Sequence, residues 1–495
     1  MEIELKLALH SRHTMRIRRH PLLNAIKPEQ RSLLSIYFDT PKLDLMRRGI
    51  ALRVRRVDDD WIQTLKAEAQ SVGALSSRPE WEMAIADGNH PDFSGLPQTA
   101  LDLLTGIKLK HIAPVFTTEF VRTTWQIHNH TAHAEVALDI GKINAGKDSR
   151  DICEVEIELK SGAAEFLFDA ATQLLTQVPL HIEPRSKAER GYILSGAITA
   201  TPVKSIYPQI HPDQTAIAAW NAIMQAALVQ LVSNVPGFLE SPHDTEYLHQ
   251  LRIALRRLCT GLLLAESLDQ TPPAWEQSLR ALMHTLNPAR DWDVFLLETL
   301  PRVLTTLQHA SKPTVEETIL TLLGDSAAHS RQQAQALLLN SVFTQLVLDI
   351  GRSLLATTDN TQKMDARSWA KTVLEKRWHT LRKHCRGFAK LNSTERHQAR
   401  IAAKKMRYAA DAFAPLYGKR SKHFITALAS LQEELGRAND GYIGTQLLQA
   451  LPKKSVAISF ALGRIHGALE SEAVQHATLS STSWRQLSRA KLFWH

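Results

Sequence analysis

Charged and aliphatic side chains alternate at the start of this chain: Glu2, Glu4 and Lys6 interleave with Ile3, Leu5 and Leu7. In an extended strand, residues two apart share a face, so the charges project one way and the aliphatic groups the other. The same alternation returns at Glu154, Glu156 and Glu158 against Val155, Ile157 and Leu159, and at Arg53 and Arg55 against Leu52 and Val54. For any single strand, a solvated sheet face is the plain alternative. Three carboxylates on one strand face, however, repel one another unless a cation or a row of bases compensates. Arg53 and Arg55 supply such a row; Lys66, Arg78 with Glu80 and Glu82, Arg122, Glu135 with Asp139, and Lys187 with Arg190 continue the pattern. Carboxylate oxygens suit Mg²⁺ or Mn²⁺, and guanidinium and ammonium groups suit phosphate oxygens. If the sheet closes with its charged faces inward, the lumen becomes a site for a metal-bound oligophosphate.

The elements that must position these groups occupy the first two fifths of the chain. At 495 residues the chain exceeds one ordinary core, and its texture changes near residue 200. Before that point, period-two strands are separated by turn material at Asp58-Asp59-Asp60, Asp87-Gly88-Asn89 and Asn144-Ala145-Gly146, with a helical stretch at 163–175. This predicts an α+β domain over 1–200, largely of antiparallel strands. A proline-bearing linker follows at 201–214. From 215 to 495 the apolar residues fall at three and four spacing, in stretches 216–232, 247–264, 275–286, 315–350, 369–384 and 397–416, which predicts an all-α domain.

Composition narrows the partners. Lysine and arginine outnumber aspartate and glutamate by 59 to 50, a net +9 that points to a polyanion. Cys153, Cys259 and Cys385 are three widely spaced thiols, which argues against a disulfide framework or a cysteine-based zinc site. The opening residues lack a basic stretch followed by an apolar one, and the apolar window 337–350 is broken by Asn340, Gln345 and Asp349. A cytoplasmic protein without a membrane partner is therefore expected.

The opening Glu2-Ile-Glu4-Leu-Lys6 resembles the ExExK signature of the CYTH, or triphosphate tunnel metalloenzyme, superfamily. Further matches, in order, are Tyr37-Phe-Asp39-Thr, Leu52-Arg53-Val-Arg55, Leu65-Lys66, Arg78-Pro-Glu80, Arg122, Leu138-Asp139, Glu154-Val-Glu156-Ile-Glu158-Leu and Ser186-Lys187-Ala-Glu-Arg190-Gly-Tyr192. Together they span roughly the first 195 residues. The resemblance implies an antiparallel β-barrel tunnel and a divalent cation, Mg²⁺ or Mn²⁺. It implies that Glu2, Glu4, Glu154 and Glu156 hold the metal, with Asp139 and Glu158 as additional acidic ligands. Lys6, Arg53, Arg55, Lys66, Arg122, Lys187 and Arg190 would clamp phosphates, whereas Arg78, Glu80 and Glu82 either join them or pair with each other. Glu2, Glu4, Lys6, Glu154 and Glu156 would form the catalytic set.

The helical half carries a faint repeat. His249-Gln-Leu-Arg252-Ile-Ala-Leu-Arg256-Arg257 is answered by His397-Gln-Ala-Arg400-Ile-Ala-Ala-Lys404-Lys405, and Leu286-Asn-Pro-Ala-Arg290-Asp291 by Leu435-Gly-Arg-Ala-Asn439-Asp440. Duplication of a helical unit is the economical explanation, with two basic helix faces able to meet across a groove. A solvated face is the alternative for either helix alone. This half resembles the CHAD domain, a helical module often fused behind CYTH domains and associated with inorganic polyphosphate. The resemblance implies a helical bundle and a polyphosphate-binding set of His249, Arg252, Arg256, Arg257, Arg290, His397, Arg400, Lys404, Lys405 and Arg407. Asn439 departs from it where the first copy has Arg290. Scattered tryptophans such as Trp220, Trp292 and Trp378 read as core.

The expected activity is metal-dependent hydrolysis of inorganic triphosphate to diphosphate and phosphate, with long-chain polyphosphate as a further expected partner. Alternatives are a class IV-type adenylate cyclase, a thiamine triphosphatase, or a non-catalytic polyphosphate-binding protein. Nucleic acid is not expected as a partner, because basic residues interleave with acids and no standard binding module is present.

Overall fold

Aliphatic residues at alternate positions build one antiparallel sheet of eleven strands in the computed structural model, which describes residues 2–67, 70–72, 75–88, 90–268, 271–307, 313–356, 364–451 and 456–495. The turn predicted at Asp87 to Asn89 ends outside the described residues, at Asn89. The strands are β1 (Glu2–Leu9), β2 (Glu29–Asp39), β3 (Ala51–Val57), β4 (Asp60–Lys66), β5 (Gln70–Val72), β6 (Leu75–Arg78), β7 (Glu80–Ile85), β8 (Ala113–His128), β9 (His133–Ala145), β10 (Asp148–Ser161) and β11 (Leu180–Ile182). Their order is β5-β6-β1-β10-β9-β8-β2-β3-β4-β7, with β11 also on β1. Pro79 alone separates β6, which pairs with β1, from β7, which pairs with β4. Proline cannot donate to a ladder, so the strand bends there, and its two halves link the ends of the sheet. The sheet thus curls into the antiparallel tunnel that the CYTH resemblance implied.

Register carries the charges around this tunnel. Lys6 stands opposite Glu156 and Glu4 opposite Glu158. Glu154 faces Asp139, Asp139 faces Arg122, Tyr37 faces Arg53, Lys66 faces Glu80 and Arg78 faces Glu2. The outward aliphatic positions are not solvated: Leu5, Leu7, Val155 and Ile157 are fully buried.

The short helices of this region are α1 (Thr14–Arg18), α2 (Asp44–Arg47) and α3 (Gln98–Leu103), followed by α4 (Glu165–Leu175) and α5 (Lys187–Leu194). Helix α4 packs on β1 and β10, and α5 on β8 and β9. Asp39 ties α2 and α5 to the sheet. Its carboxylate accepts the backbone amides of Thr40, Leu45 and Met46 at 2.7, 2.9 and 3.0 Å, and the Tyr192 hydroxyl at 3.0 Å.

Ten α-helices follow among the described residues: α6 (Ala216–Glu240), α7 (Thr245–Ala265), α8 (Glu276–Val294), α9 (Leu300–Thr306), α10 (Pro313–Leu338), α11 (Ser341–Ala356), α12 (Ala366–His384), α13 (Ser393–Tyr417), α14 (Lys422–Gln449) and α15 (Val456–Ser488). The single helix expected over 315–350 is two, because Asn340 accepts the Val342 amide at 2.9 Å and starts α11 afresh. Two compact units result: residues 1–203 with 228–240 and 338–356, and residues 204–227, 241–337 and 357–495. In the first unit, α11 packs on α4 and β11. In the second, α7 packs on α8 and α13, and α13 on α12 and α14. Helix α6 is long and apolar enough to cross a membrane by length and composition. That apolarity is used in packing: Ile223, Leu228, Leu231, Val235 and Phe238 are buried.

Candidate functional site

Strand register assembles an acidic trio that is buried at Asp139 and Glu154 and half-buried at Glu156. Asp139 on β9 and Glu154 and Glu156 on β10 present carboxylate oxygens within 4.8 Å of one another. The Lys187 ammonium lies among them, 2.7 Å from Asp139, 2.8 Å from Glu156 and in contact with Glu154. Arg122 forks onto Asp139 with Nε at 2.8 Å and Nη2 at 2.7 Å, and also reaches Glu156; Arg190 pairs with Glu154. Burial opposes ionisation of Asp139, yet Arg122 and Lys187 hold its carboxyl below the usual range. Burial likewise opposes ionisation of Glu156, and Lys187, Arg122 and Lys6 outweigh it, holding Glu156 well down. Lys187 shows the converse: despite burial, Asp139, Glu154 and Glu156 raise it above the ordinary lysine value. Glu154 Oε1 touches the Lys187 ammonium but completes no well-angled hydrogen bond.

The signature acids make separate pairs in the same tunnel. Glu2 contacts Lys66 at 2.7 Å and Arg78 at 2.9 Å, and Glu4 contacts Arg78 at 2.7 Å. Burial works against charge on Glu2, but Lys66 and Arg78 hold its carboxyl at about 2. Lys66 also reaches Glu80 at 3.0 Å, and Arg53 lies 3.7 Å from both Glu80 and Glu82. Glu158 is outside both groups. It pairs with Lys160 at 2.7 Å, and its side chain is 30% exposed.

A cavity of about 60 Å³ lies between these groups. Its wall carries Lys6, Arg53, Arg55, Lys66, Arg78, Arg122 and Lys187 against Glu2, Glu4 and Glu156, seven cations to three carboxylates. That excess selects an anion. Arg55 and Lys6 are the least compensated. Arg55 Nε donates to Ser35 Oγ at 2.9 Å, and among the described residues neither side chain has a carboxylate in ion-pair range. Burial, then Arg53 and Arg122, push the Arg55 guanidinium down to about 9. Phe120 was missed by the sequence reading. Its ring lies 5.6, 5.7 and 5.0 Å from the charged ends of Arg55, Arg122 and Lys187. The available signal was its place two residues before Arg122 on the same strand face.

The second unit gathers cations with fewer acids. His249, Arg252 and Arg256 on α7, Arg290 and Asp291 on α8, Arg400 and Lys404 on α13, and Asp440 on α14 interact as one group. Arg252 reaches Asp291 at 3.4 Å. Burial, then Arg400, Arg256 and Arg252, push the Lys404 ammonium down to about 6. Burial and Arg256 lower Arg252 to about 10. The Nε atoms of Arg252 and Arg400 are buried without a hydrogen-bond partner among the described residues. Other predicted members point elsewhere. Arg257 lies over the Tyr207 ring at 4.6 Å and donates to the Ile206 carbonyl at 3.0 Å, Arg407 pairs with Asp411 at 2.8 Å, and His397 is exposed. Lys405 is half-buried.

The chain thus combines a charge-lined antiparallel sheet domain with a basic helical unit. Residues 1–192 match the CYTH domain and residues 222–449 the CHAD domain, so the chain carries a CYTH domain followed by a CHAD domain. It is 34% identical over 194 residues to an inorganic triphosphatase of Haemophilus influenzae, an alignment covering 39% of this chain and 54% of that one. The chain therefore spans about half the length of this curated relative. The CHAD domain of the plant Ricinus communis aligns over 59% of this chain and 98% of its own, with 28% identity and a TM-score of 0.53. A Hippeastrum protein with a dominant triphosphatase activity aligns over 40% of this chain and 96% of its own, at 19% identity and a TM-score of 0.29.

Proposed function

We propose that the tunnel hydrolyses inorganic triphosphate to diphosphate and orthophosphate with a divalent cation, and that the basic cluster of the helical unit binds polyphosphate. One observation supports this most: a carboxylate trio and a wall of seven cations share one tunnel. The 34% identity over 194 residues to an inorganic triphosphatase agrees with it.

The trio suits a hard cation. Its oxygens are clustered, Glu154 Oε1 lacks a hydrogen bond, and the position already holds the positive charge of Lys187. Asp139, Glu154 and Glu156 would hold Mg²⁺ or Mn²⁺, which when bound lowers the pKa of a water and screens phosphate charge. The protein's own groups do the rest. A water needs about 10–15 Å³ of such space, so a cavity of about 60 Å³ holds only a few. A triphosphate therefore enters by parting cations from carboxylates, and Arg78, Lys66 and Lys187 exchange Glu partners for phosphate oxygens. Arg55 and Lys6, neither with a carboxylate in ion-pair range among the described residues, have none to release and bind first. Arg53 and Arg122 complete the cradle and, with Lys6, neutralise charge as the terminal phosphoryl group passes to water. Diphosphate remains on the cations and orthophosphate leaves, with no covalent enzyme intermediate.

The test is phosphate release from tripolyphosphate by the purified full chain with Mg²⁺ or Mn²⁺, compared with Lys6→Ala and Glu156→Gln. Both variants should lose most of the rate. Undiminished release by both, or faster production of cyclic AMP from ATP, would overturn the proposal.

A further inference from the structure

The backbone that carries Lys187 is fastened by a residue well beyond the CYTH match. Glu240 ends α6, 240 − 192 = 48 positions past the last matched residue, yet it belongs to the same compact unit as the tunnel. Its carboxylate receives Arg185 Nη1 at 2.8 Å and Nη2 at 2.7 Å, and also Arg150 from β10. Arg185 is 7% exposed, and Glu183 holds its other edge through Nε at 3.1 Å and Nη2 at 3.2 Å. A planar guanidinium gripped on two edges has little freedom, and neither does the backbone it hangs from.

Two parts of the phosphate site depend on that backbone. The Arg185 carbonyl accepts the Lys6 ammonium at 3.5 Å, the one hydrogen bond of that ammonium among the described residues. The next residue, Ser186, caps α5 by accepting the Glu189 amide at 3.0 Å, and Lys187 and Arg190 project from that turn onto Glu154. The same half of α6 also walls the tunnel mouth. Val229, Val232 and Ser233 line a cavity of about 490 Å³ together with Glu4, Lys6 and Arg78.

We infer that Glu240 is a positioning residue for the phosphate site: through Arg185 it fixes the acceptor of Lys6 and the turn that presents Lys187. This rests on the triphosphatase reading for its assay, but not for its geometry. A purely structural bracket would lower stability while leaving the folded enzyme's affinity for phosphate unchanged. Positioning couples the carboxylate to Lys6.

The test uses the full chain and four variants, Glu240→Gln, Glu240→Asp, Lys6→Ala and the Lys6→Ala/Glu240→Gln pair. For Glu240→Gln the KM for tripolyphosphate should rise about tenfold with kcat changed less than about threefold, because ground-state phosphate contacts are displaced. Glu240→Asp, which keeps the charge, should recover most of that loss, and it serves alone if Glu240→Gln does not fold. The double variant should lose less than the product of the two single losses, since part of the Glu240 effect acts through the Lys6 contact. An unchanged KM in Glu240→Gln, or a loss that multiplies with that of Lys6→Ala, overturns the inference even if the melting temperature falls. If the wild type leaves tripolyphosphate intact, the functional reading fails by itself. Calorimetric Kd values for tripolyphosphate in the same four variants then decide the role of Glu240 by the same criteria.

Discussion

The bases around the tunnel's acidic trio and those of the helical cluster are of the same types, yet the protein drives their protonation in opposite directions. In the tunnel, Lys187 and Arg122 are interleaved with Asp139, Glu154 and Glu156, and both rise above their ordinary values although burial opposes the charge. In the helical cluster, burial combines with Arg400, Arg256 and Arg252 to push Lys404 down to about 6. The bases on the trio are thus internally neutralised and must exchange partners to bind, whereas the cluster is under-neutralised and gains from any anion. Carboxylates beside the bases fit metal and phosphate together; bases crowding one another fit phosphate alone.

Removing one tunnel carboxylate gives the largest expected effect. Glu156→Gln should cut tripolyphosphate hydrolysis by about 10²- to 10³-fold, the scale of losing one preorganised charge contact in an active site. Rates in saturating Mg²⁺ check this, and a loss under threefold would remove Glu156 from the machinery. Lys187→Met comes next. It strips three carboxylates of their shared cation and should destabilise the chain by about 3–5 kcal/mol. Denaturant melts measure it, and added Mg²⁺ or Mn²⁺ should restore part of the loss if the trio holds a metal. An equal melt with and without the cation would separate the trio from metal binding.

In the cluster, the sign of the pH dependence is the discriminating quantity. The folded Lys404 pKa of about 6 lies below its unfolded value of 10.5, so between the two the unfolded chain carries more protons. The stability this group contributes is complete above the unfolded value, falls as the pH drops toward about 6, and is flat below. Lys404→Met should flatten that slope in melts between pH 7 and 10. A bound polyphosphate favours the ammonium, so at pH 8 binding should take up close to one proton. Calorimetry in buffers of different ionisation enthalpy reads the uptake, and Lys404→Met should abolish it. Heats independent of the buffer would mean that Lys404 is already charged or does not meet the ligand.

Much of the fold was legible because period two and period 3.6 are both unambiguous in this chain. Glu2, Glu4 and Lys6 share the tunnel face with Glu154 and Glu156 because strand geometry allows nothing else. The break at Asn340 was hidden, since one polar residue between two apolar stretches looks like a helix face until it caps. Pairing was hidden as well. Alternation places Glu2 and Asp139 in one lumen, but only the register across strands sets Glu2 on Arg78 and Asp139 on Arg122. Glu158 continues the acidic row by periodicity, yet Lys160 two positions on draws it out of the trio. Glu240 was beyond reach, because an ion pair 55 residues away from Arg185 leaves no local pattern.

The smallest effect concerns adjacent residues on α7. Arg256 and Arg257 are consecutive, and nothing in their sequence ranks one above the other. Neighbours on a helix point about 100° apart, and the structure uses that angle. Arg256 faces Arg400 and Lys404 and contributes to lowering both, while Arg257 lies against Tyr207 and the Ile206 carbonyl. Arg256→Ala should therefore weaken polyphosphate binding about tenfold, or roughly 1.4 kcal/mol. It should also raise the pKa of Lys404 by removing a repulsive neighbour, which partly offsets the loss. Arg257→Ala should lower the melting temperature by a few degrees, on the order of 1 kcal/mol for a lost buried contact, with Kd within about twofold. Titration of the full chain with long-chain polyphosphate at fixed salt measures both variants. Equal losses from the two would show that the whole basic face, rather than the inward cluster, meets the anion.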